Sequence, residues 1–463
     1  MLLPSRFVVL DDRKDHLSSI IETFKLMGSS CTGIHYDSSD EDESYLDPSL
    51  YQGVRGFFSD LHLEVLGAGT DEKKHYANIT RILEEVITEK NGPFILILWT
   101  EYPTECEHLK QYIEDSIDSE KPYCKPLCIV PLSKTKFIDK NNGEIINGEA
   151  NVLKEEIKSC FKINPQISAI FDWEFEVYQA VNQTLIELVN LIPSPQRSFN
   201  TYPDEIDKVL SCITRETVGK THVSQDPRRA LSIAIAPILL DKILNNQDSE
   251  ENIEQWNKAI TKVKSDDSYI SDVNSIGRYN KMLHLAVTGH ETMKPSDWGA
   301  VLHISNFTKP FCNEKFGYSK DQLTKQIFKF QDDQELTPIL LRIGAACDYA
   351  QNKEGPISYI FGFRVSYKKY LERENDFKDE NKPHAKRPGS EWASPLFFVD
   401  EEPFYLLLNL QIIVSFTKNE IKSYEVLYRI REQLLNQLIL RATTYASRPG
   451  ITELPAPKVV ENN

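Results

Sequence analysis

No stretch of the 463 residues comes close to the roughly 20 consecutive apolar residues that a membrane-crossing helix needs. The opening, Met1 to Leu10, lacks a basic region followed by a long apolar stretch, so no secretory leader is expected. The eight cysteines have no short paired spacing. The closest pair, Cys124 and Cys128, does not match a zinc ribbon. Free, mostly buried thiols in a reducing cytoplasm are the expectation. Positive charge is also short. The net charge is −16, and residues 1–140 carry 25 acids against 15 bases, with 44 against 38 in the remainder. Nucleic-acid binding depends on Lys and Arg neutralising phosphates, and no segment here is strongly basic. A DNA- or RNA-binding output is therefore disfavoured, and so is a membrane role. There is no internal repeat and no low-complexity tract.

What is present is an alternation of strands and helices in the first third. Phe7-Val8-Val9-Leu10 is a continuous apolar run, as a parallel strand covered on both faces requires, and it ends at Asp11-Asp12. Leu17, Ile20, Ile21 and Phe24 follow at helical spacing. Residues 31–36 read as a second strand, and the acidic stretch 37–47 as a solvated loop in the place of a helix. Residues 54–59 form a third strand running into Asp60. A helix face follows at Tyr76, Ile79, Ile82, Leu83, Val86 and Ile87. Phe94 to Trp99 is a fourth strand closed by Thr100, residues 105–117 look helical, and Pro126 to Leu132 is a fifth strand ending at Ser133-Lys134. Strict alternation implies a parallel sheet with helices on both faces. The expected fold is thus an α/β, flavodoxin-like (βα)5 domain over residues 1–140. A mainly helical region follows at 150–330, then a small β-rich unit at 336–450. Strands are expected there at 340–343, 357–365, 396–399 and 404–416, a polar loop at 372–391, and a closing helix at about 420–446.

In a parallel α/β sheet, ligands sit outside the carboxyl ends of the strands. Here those ends carry Asp11, Asp12, Asp60, Thr100 and Lys134. A lone Asp at a strand end is usually a helix cap. Five chemically matched residues on the right strand ends form a site. Three carboxylates at one spot repel each other unless a cation holds them, and hard oxygen ligands suit Mg2+. A carboxylate can attack a phosphoryl group to give an aspartyl phosphate, and the central Asp60 is placed for that. Lys134 supplies a compact positive charge to one phosphoryl oxygen, and Thr100 a hydroxyl to another.

The motifs Val9-Leu10-Asp11-Asp12, Phe58-Ser59-Asp60-Leu61, Trp99-Thr100 and Ser133-Lys134 resemble those of response-regulator receiver domains of two-component signalling, over roughly residues 5–138. The resemblance implies strand order 2-1-3-4-5. It also implies Mg2+ on Asp11, Asp12 and Asp60, phosphorylation of Asp60, and sensing of the phosphoryl group by Thr100 and Lys134. Its implied partners are a histidine kinase and a downstream effector protein. The chain departs from the receiver pattern in four ways. The interval from Asp60 to Thr100 is long, Glu101 stands where receivers carry a small residue, no proline follows Lys134, and Pro131 replaces the usual switching aromatic. Lys125-Pro126 is a rival for the lysine, but it precedes the fifth strand. The overall layout, with Trp173-Glu174 and Cys347-Asp348, looks more loosely like receiver proteins of phage-defence phosphorelays, an antiviral defense setting.

The expectation is a cytoplasmic phosphorelay protein that signals through protein contacts of its C-terminal region. Two rivals stay open: a phosphate sink that drains a kinase, and a receiver-switched enzyme with its site in residues 200–460. Weaker signals are read as structural. Cys347 is expected to be buried, His284 and His290 to be ordinary histidines, Lys386-Arg387 a solvated loop, and Arg448-Pro449-Gly450 a turn.

Overall fold

The computed structural model describes residues 5–40, 42–64, 73–139, 143–146, 149–245, 250–264, 270, 272–287, 293–378 and 389–448. The chain forms two compact units, Met1–Gln183 with Lys242–Val263, and Thr184–Asp241 with Lys264–Asn463.

The first unit is built on β1 (Phe7–Asp11), α1 (Lys14–Leu26), β2 (Thr32–His35), β3 (Gly56–Ser59), α2 (Lys73–Val86), β4 (Ile95–Thr100), α3 (Cys106–Ser116) and β5 (Ile129–Ser133). Among the described residues the five strands form one sheet in the order β2-β1-β3-β4-β5, and every pairing is parallel. The continuous apolar runs are explained by burial on both faces. Val8, Leu10, Phe57, Leu96 and Leu98 pack toward α2 and α3, where Ile79, Leu83, Leu109 and Ile113 meet them. The alternate residues Val9, Phe58, Ile95, Ile97 and Trp99 pack toward α1 and the next helix, α4 (Ala150–Lys162), through Ile20, Phe24, Leu153 and Ile157. Each face alternates with period two, and both faces of the inner strands β1, β3 and β4 are buried, while the edge strands β2 and β5 each expose a residue. Between β2 and β3 the chain makes two single turns, Ser44–Leu46 and Pro48–Leu50, rather than a full helix. Tyr45 and Tyr51 from this stretch still enter the core.

After α4 comes α5 (Pro165–Asn190). Its Glu174 accepts hydrogen bonds from Arg55 Nε at 2.8 Å and Arg55 Nη2 at 3.1 Å, and pairs with Arg6 as well. These arginines hold the Glu174 carboxyl below its ordinary range against the opposing effect of burial. Arg6 precedes β1 and Arg55 precedes β3, so this clamp lies at the amino edge of the sheet.

The next helices are α6 (Tyr202–Val218), α7 (Lys220–Gln225), α8 (Pro227–Leu244) and α9 (Glu250–Ala259); α10 (Val273–His284) then leads into the strands of the second unit. These are β6 (Leu285–Val287), β7 (Ala300–His303), β8 (Leu336–Arg342), β9 (Ile357–Ser366), β10 (Glu391–Ala393), β11 (Phe397–Val399), β12 (Glu402–Phe416) and β13 (Glu425–Ile430). The described pairings are antiparallel, in the order β10-β12-β9-β8-β7-β13-β6 with β11 on β12. The remaining helices are α11 (Lys309–Phe316), α12 (Ala346–Ala350), α13 (Tyr367–Lys378), α14 (Lys418–Ile421) and α15 (Glu432–Ser447). Gly362, in the middle of β9, is required by a close approach, because a Cβ there would lie 2.1 Å from the Leu407 carbonyl oxygen of β12.

Three local expectations differ from the structure. The sheet recruits β6 and β7 from the stretch read as mainly helical. These runs of three and four residues are too short for periodicity to separate strand from helix. The closing helix at 420–446 is interrupted by β13, which pairs with both β6 and β7. The expected polar loop at 372–391 begins as the end of α13, while residues 379–388 lie outside the described residues.

Candidate functional site

The parallel sheet brings four of the singled-out side chains together at its carboxyl edge. Asp11 is the last residue of β1, with Asp12 next in the chain, and Asp60 follows β3, its backbone N–H donating to the Leu10 carbonyl at 3.0 Å. Because β1 and β3 are neighbours, the carboxylates converge, and one oxygen from each of Asp11, Asp12 and Asp60 lies within 4.8 Å of the others. Lys134 comes from the far side of β4, in the turn Lys134–Lys136 after the edge strand β5. Its long side chain runs back through the protein, 1 % exposed, and its Nζ donates to Asp11 Oδ2 and to Asp60 Oδ2, both at 2.6 Å. Thr100 ends β4 fully buried, and its Oγ1 accepts the Tyr102 N–H at 3.2 Å. The rival Lys125 is elsewhere, paired with Glu114.

Three carboxylates face one ammonium, which leaves an excess of negative charge, poorly screened because Asp11 and Asp60 are buried. Burial pushes the Asp11 carboxyl up to about 7; the Asp60 charge adds to this, while Lys134 and the Arg13 N–H at 3.0 Å oppose it. The half-buried Asp12 is also raised, by burial and then by Asp60. Lys134 is held above its ordinary value despite its burial, because the Asp60 and Asp11 carboxylates flank it. Two of the acids thus retain protons more readily than usual while the lysine keeps its charge. A divalent cation would discharge the same strain, and three hard oxygen donors within reach of one point are the ligand set for it. The buried cluster can hold a metal ion.

Four neighbours were not foreseen from sequence. His16, on the first turn of α1, is buried with its Nδ1 3.9 Å from Asp11 Oδ1, and neither ring nitrogen has a hydrogen-bond partner among the described residues. Burial, then Lys134 and Arg13, pull its pKa down to about 4, so the ring is neutral. On the other side, His62 follows Asp60 by two residues and stacks between His75, at 4.0 Å, and Tyr102, at 4.2 Å. A histidine two residues after the acid is readable in the chain, but its partners at positions 75 and 102 are assembled only by the fold.

The weaker signals fall away from this pocket. Cys347 is exposed on α12 rather than buried, because the short helix presents it to solvent. His284 ends α10 in the second unit, and His290, Lys386, Arg387, Pro449 and Gly450 lie outside the described residues. All eight cysteines are free thiols; four are buried. No described helix is long and apolar enough to cross a membrane.

The chain has an N-terminal five-stranded parallel α/β sheet with an acidic cluster at its carboxyl edge, an arrangement compatible with a receiver domain. Comparison with protein-family models, with curated proteins and with solved structures returns no match.

Proposed function

We propose that the first unit is a phosphoacceptor receiver in which Asp60 takes a phosphoryl group from a partner histidine kinase. We propose also that the second unit passes this state to a downstream protein. The observation that carries the reading is Asp60 itself, a carboxylate at the carboxyl edge of a parallel sheet, bonded to a buried lysine and grouped with two further carboxylates.

In the proposed step an Asp60 oxygen attacks phosphorus, an O–P bond forms, and the N–P bond of the donor phosphohistidine breaks, the electron pair leaving with the imidazole. Asp11, Asp12 and Asp60 would hold the magnesium, whose charge offsets that on the phosphoryl oxygens. Lys134 turns its ammonium from the Asp60 carboxylate toward one phosphoryl oxygen, and the Thr100 hydroxyl donates to another. Neutral His16 adds no positive charge to the pocket, which leaves Lys134 as its principal fixed cation. With Pro131 in place of an aromatic, the change is read through the Thr100–Glu101 turn, where Tyr102 stacks on His62. The setting is cytoplasmic, in keeping with eight free thiols. By the looser resemblance it is a relay in phage defence.

Incubation with acetyl phosphate and Mg2+ should add one acid-labile phosphoryl group per chain, and Asp60→Asn should add none. Equal uptake by the variant overturns the assignment.

A further inference from the structure

Arg342, the last residue of β8, is 6 % exposed, and its Nε and Nη1 have no hydrogen-bond partner among the described residues. Nor does any described carboxylate come within ion-pair distance of it, and burial lowers its pKa from the ordinary arginine value. A buried guanidinium left in this state is costly, and native proteins satisfy such groups with a hydrogen-bond acceptor, an ordered water or a counter-ion. Arg342 lines a cavity of about 220 Å3 in the second unit, together with Arg229, Lys294, Lys353 and Lys418.

The acids around this cavity are already engaged. Asp297 accepts from the Tyr349 hydroxyl at 2.9 Å and from the Lys294 N–H at 2.8 Å. Asp348 pairs with Lys353 at 2.5 Å, and Asp226 accepts the Arg229 N–H at 3.0 Å. Five cationic side chains against three lining carboxylates, with Lys418 also 3.6 Å from the exposed Glu354, leave a local excess of positive charge in a chain whose net charge is −16. A planar guanidinium fork suits carboxylates and phosphates alike, and four further cationic side chains on the same cavity favour the more highly charged phosphate. The volume lies below the roughly 300 Å3 at which drug-sized ligands begin to fit. Tyr349 is no stacking platform for a base, because the Arg229 and Arg342 guanidinium carbons already lie 4.6 and 5.0 Å from its ring centre.

We propose that this cavity is a binding site for a phosphate dianion, either the free ion or the phosphate of a small ester. The site is independent of the chemistry at Asp60. Its test is isothermal titration calorimetry on the full-length Asp60→Asn chain, in chloride buffer with EDTA, so that the acidic pocket takes no part. Inorganic phosphate and glycerol 3-phosphate are the two probes. The expected result is one saturable site per chain for at least one probe, weakened at least about tenfold in Arg342→Gln and about threefold in Lys294→Gln. Tighter binding of glycerol 3-phosphate identifies an ester as the ligand class; equal or tighter binding of phosphate identifies the free ion. Should Arg342→Gln fail to fold by circular dichroism, Lys294→Gln at the exposed rim decides the matter. Absence of saturation at tens of millimolar with both probes, or unchanged affinity in the folded variants, overturns the proposal.

Discussion

Replacing Asp12 with Asn removes one of three carboxylates whose oxygens lie within 4.8 Å of one another, while keeping the size of the side chain. At that separation two like charges repel by about 3.5 kcal/mol for an effective dielectric of about 20. Asp12 is only half-buried, so solvent reduces its share to about 1 kcal/mol. For a unit of this size that corresponds to a rise in Tm of about 2–4 °C. In EDTA the variant should therefore melt higher than the parent. With magnesium the order reverses. At about ten times its Kd, a ligand of the folded state adds roughly 1.4 kcal/mol to the parent, and the variant, short of one anionic donor, should gain much less. Scanning calorimetry with and without Mg2+, fitted with separate transitions for the two units, measures both limbs. A variant that melts lower in EDTA, or one that keeps the parent's magnesium shift, refutes the shared-site reasoning.

Lys134→Met strands Asp11 and Asp60 without their counter-charge. It should destabilise the first unit by about 3–5 kcal/mol at pH 8 without metal, as read by chemical denaturation, with much of the loss recovered at pH 5 where Asp11 takes up a proton. The pocket also sets a pH dependence with two opposing limbs in metal-free protein. Asp11, at about 7 in the folded state against 3.8 in a free side chain, binds the extra proton in the native form, so its contribution is full below about 4 and is lost as pH rises toward 7. His16, at about 4 against 6.5, does the opposite: its contribution is present above 6.5 and is lost as pH falls through 4. Each limb is of order 3 kcal/mol, so they nearly cancel in the parent. Asp11→Asn should make stability rise between pH 4 and 6.5, and His16→Leu should make it fall. Identical pH profiles for parent and both variants in urea titrations would contradict this.

The acidic pocket was legible because strands buried on both faces write themselves as continuous apolar runs, and each run stops at a polar residue. That stop marks the carboxyl edge. The second unit was harder to read. Residues 425–430, Glu-Val-Leu-Tyr-Arg-Ile, have apolar positions that fit either period over so short a span, and only pairing with β6 and β7 makes them a strand. Cys347 looked like a core residue by type, yet it sits on a five-residue helix at the surface. The cavity around Arg342 left no local trace, since its cations come from positions 229, 294, 342, 353 and 418 and become neighbours only through the fold.

The Glu174 clamp gives β3 an additional job. The strand that delivers Asp60 to the acidic pocket begins just after Arg55, whose guanidinium grips Glu174 on α5. Five residues of extended chain span roughly 16 Å. The proposed phosphoryl chemistry at one end of that span and the helix attachment at the other are therefore joined by a single strand at the centre of the sheet. Parallel pairing with β1 and β4 stiffens it along its length. Under the proposed function, a tilt of β3 imposed at Asp60 would reach α5 as a shift of its anchor, a lever that needs no aromatic at Pro131 of β5.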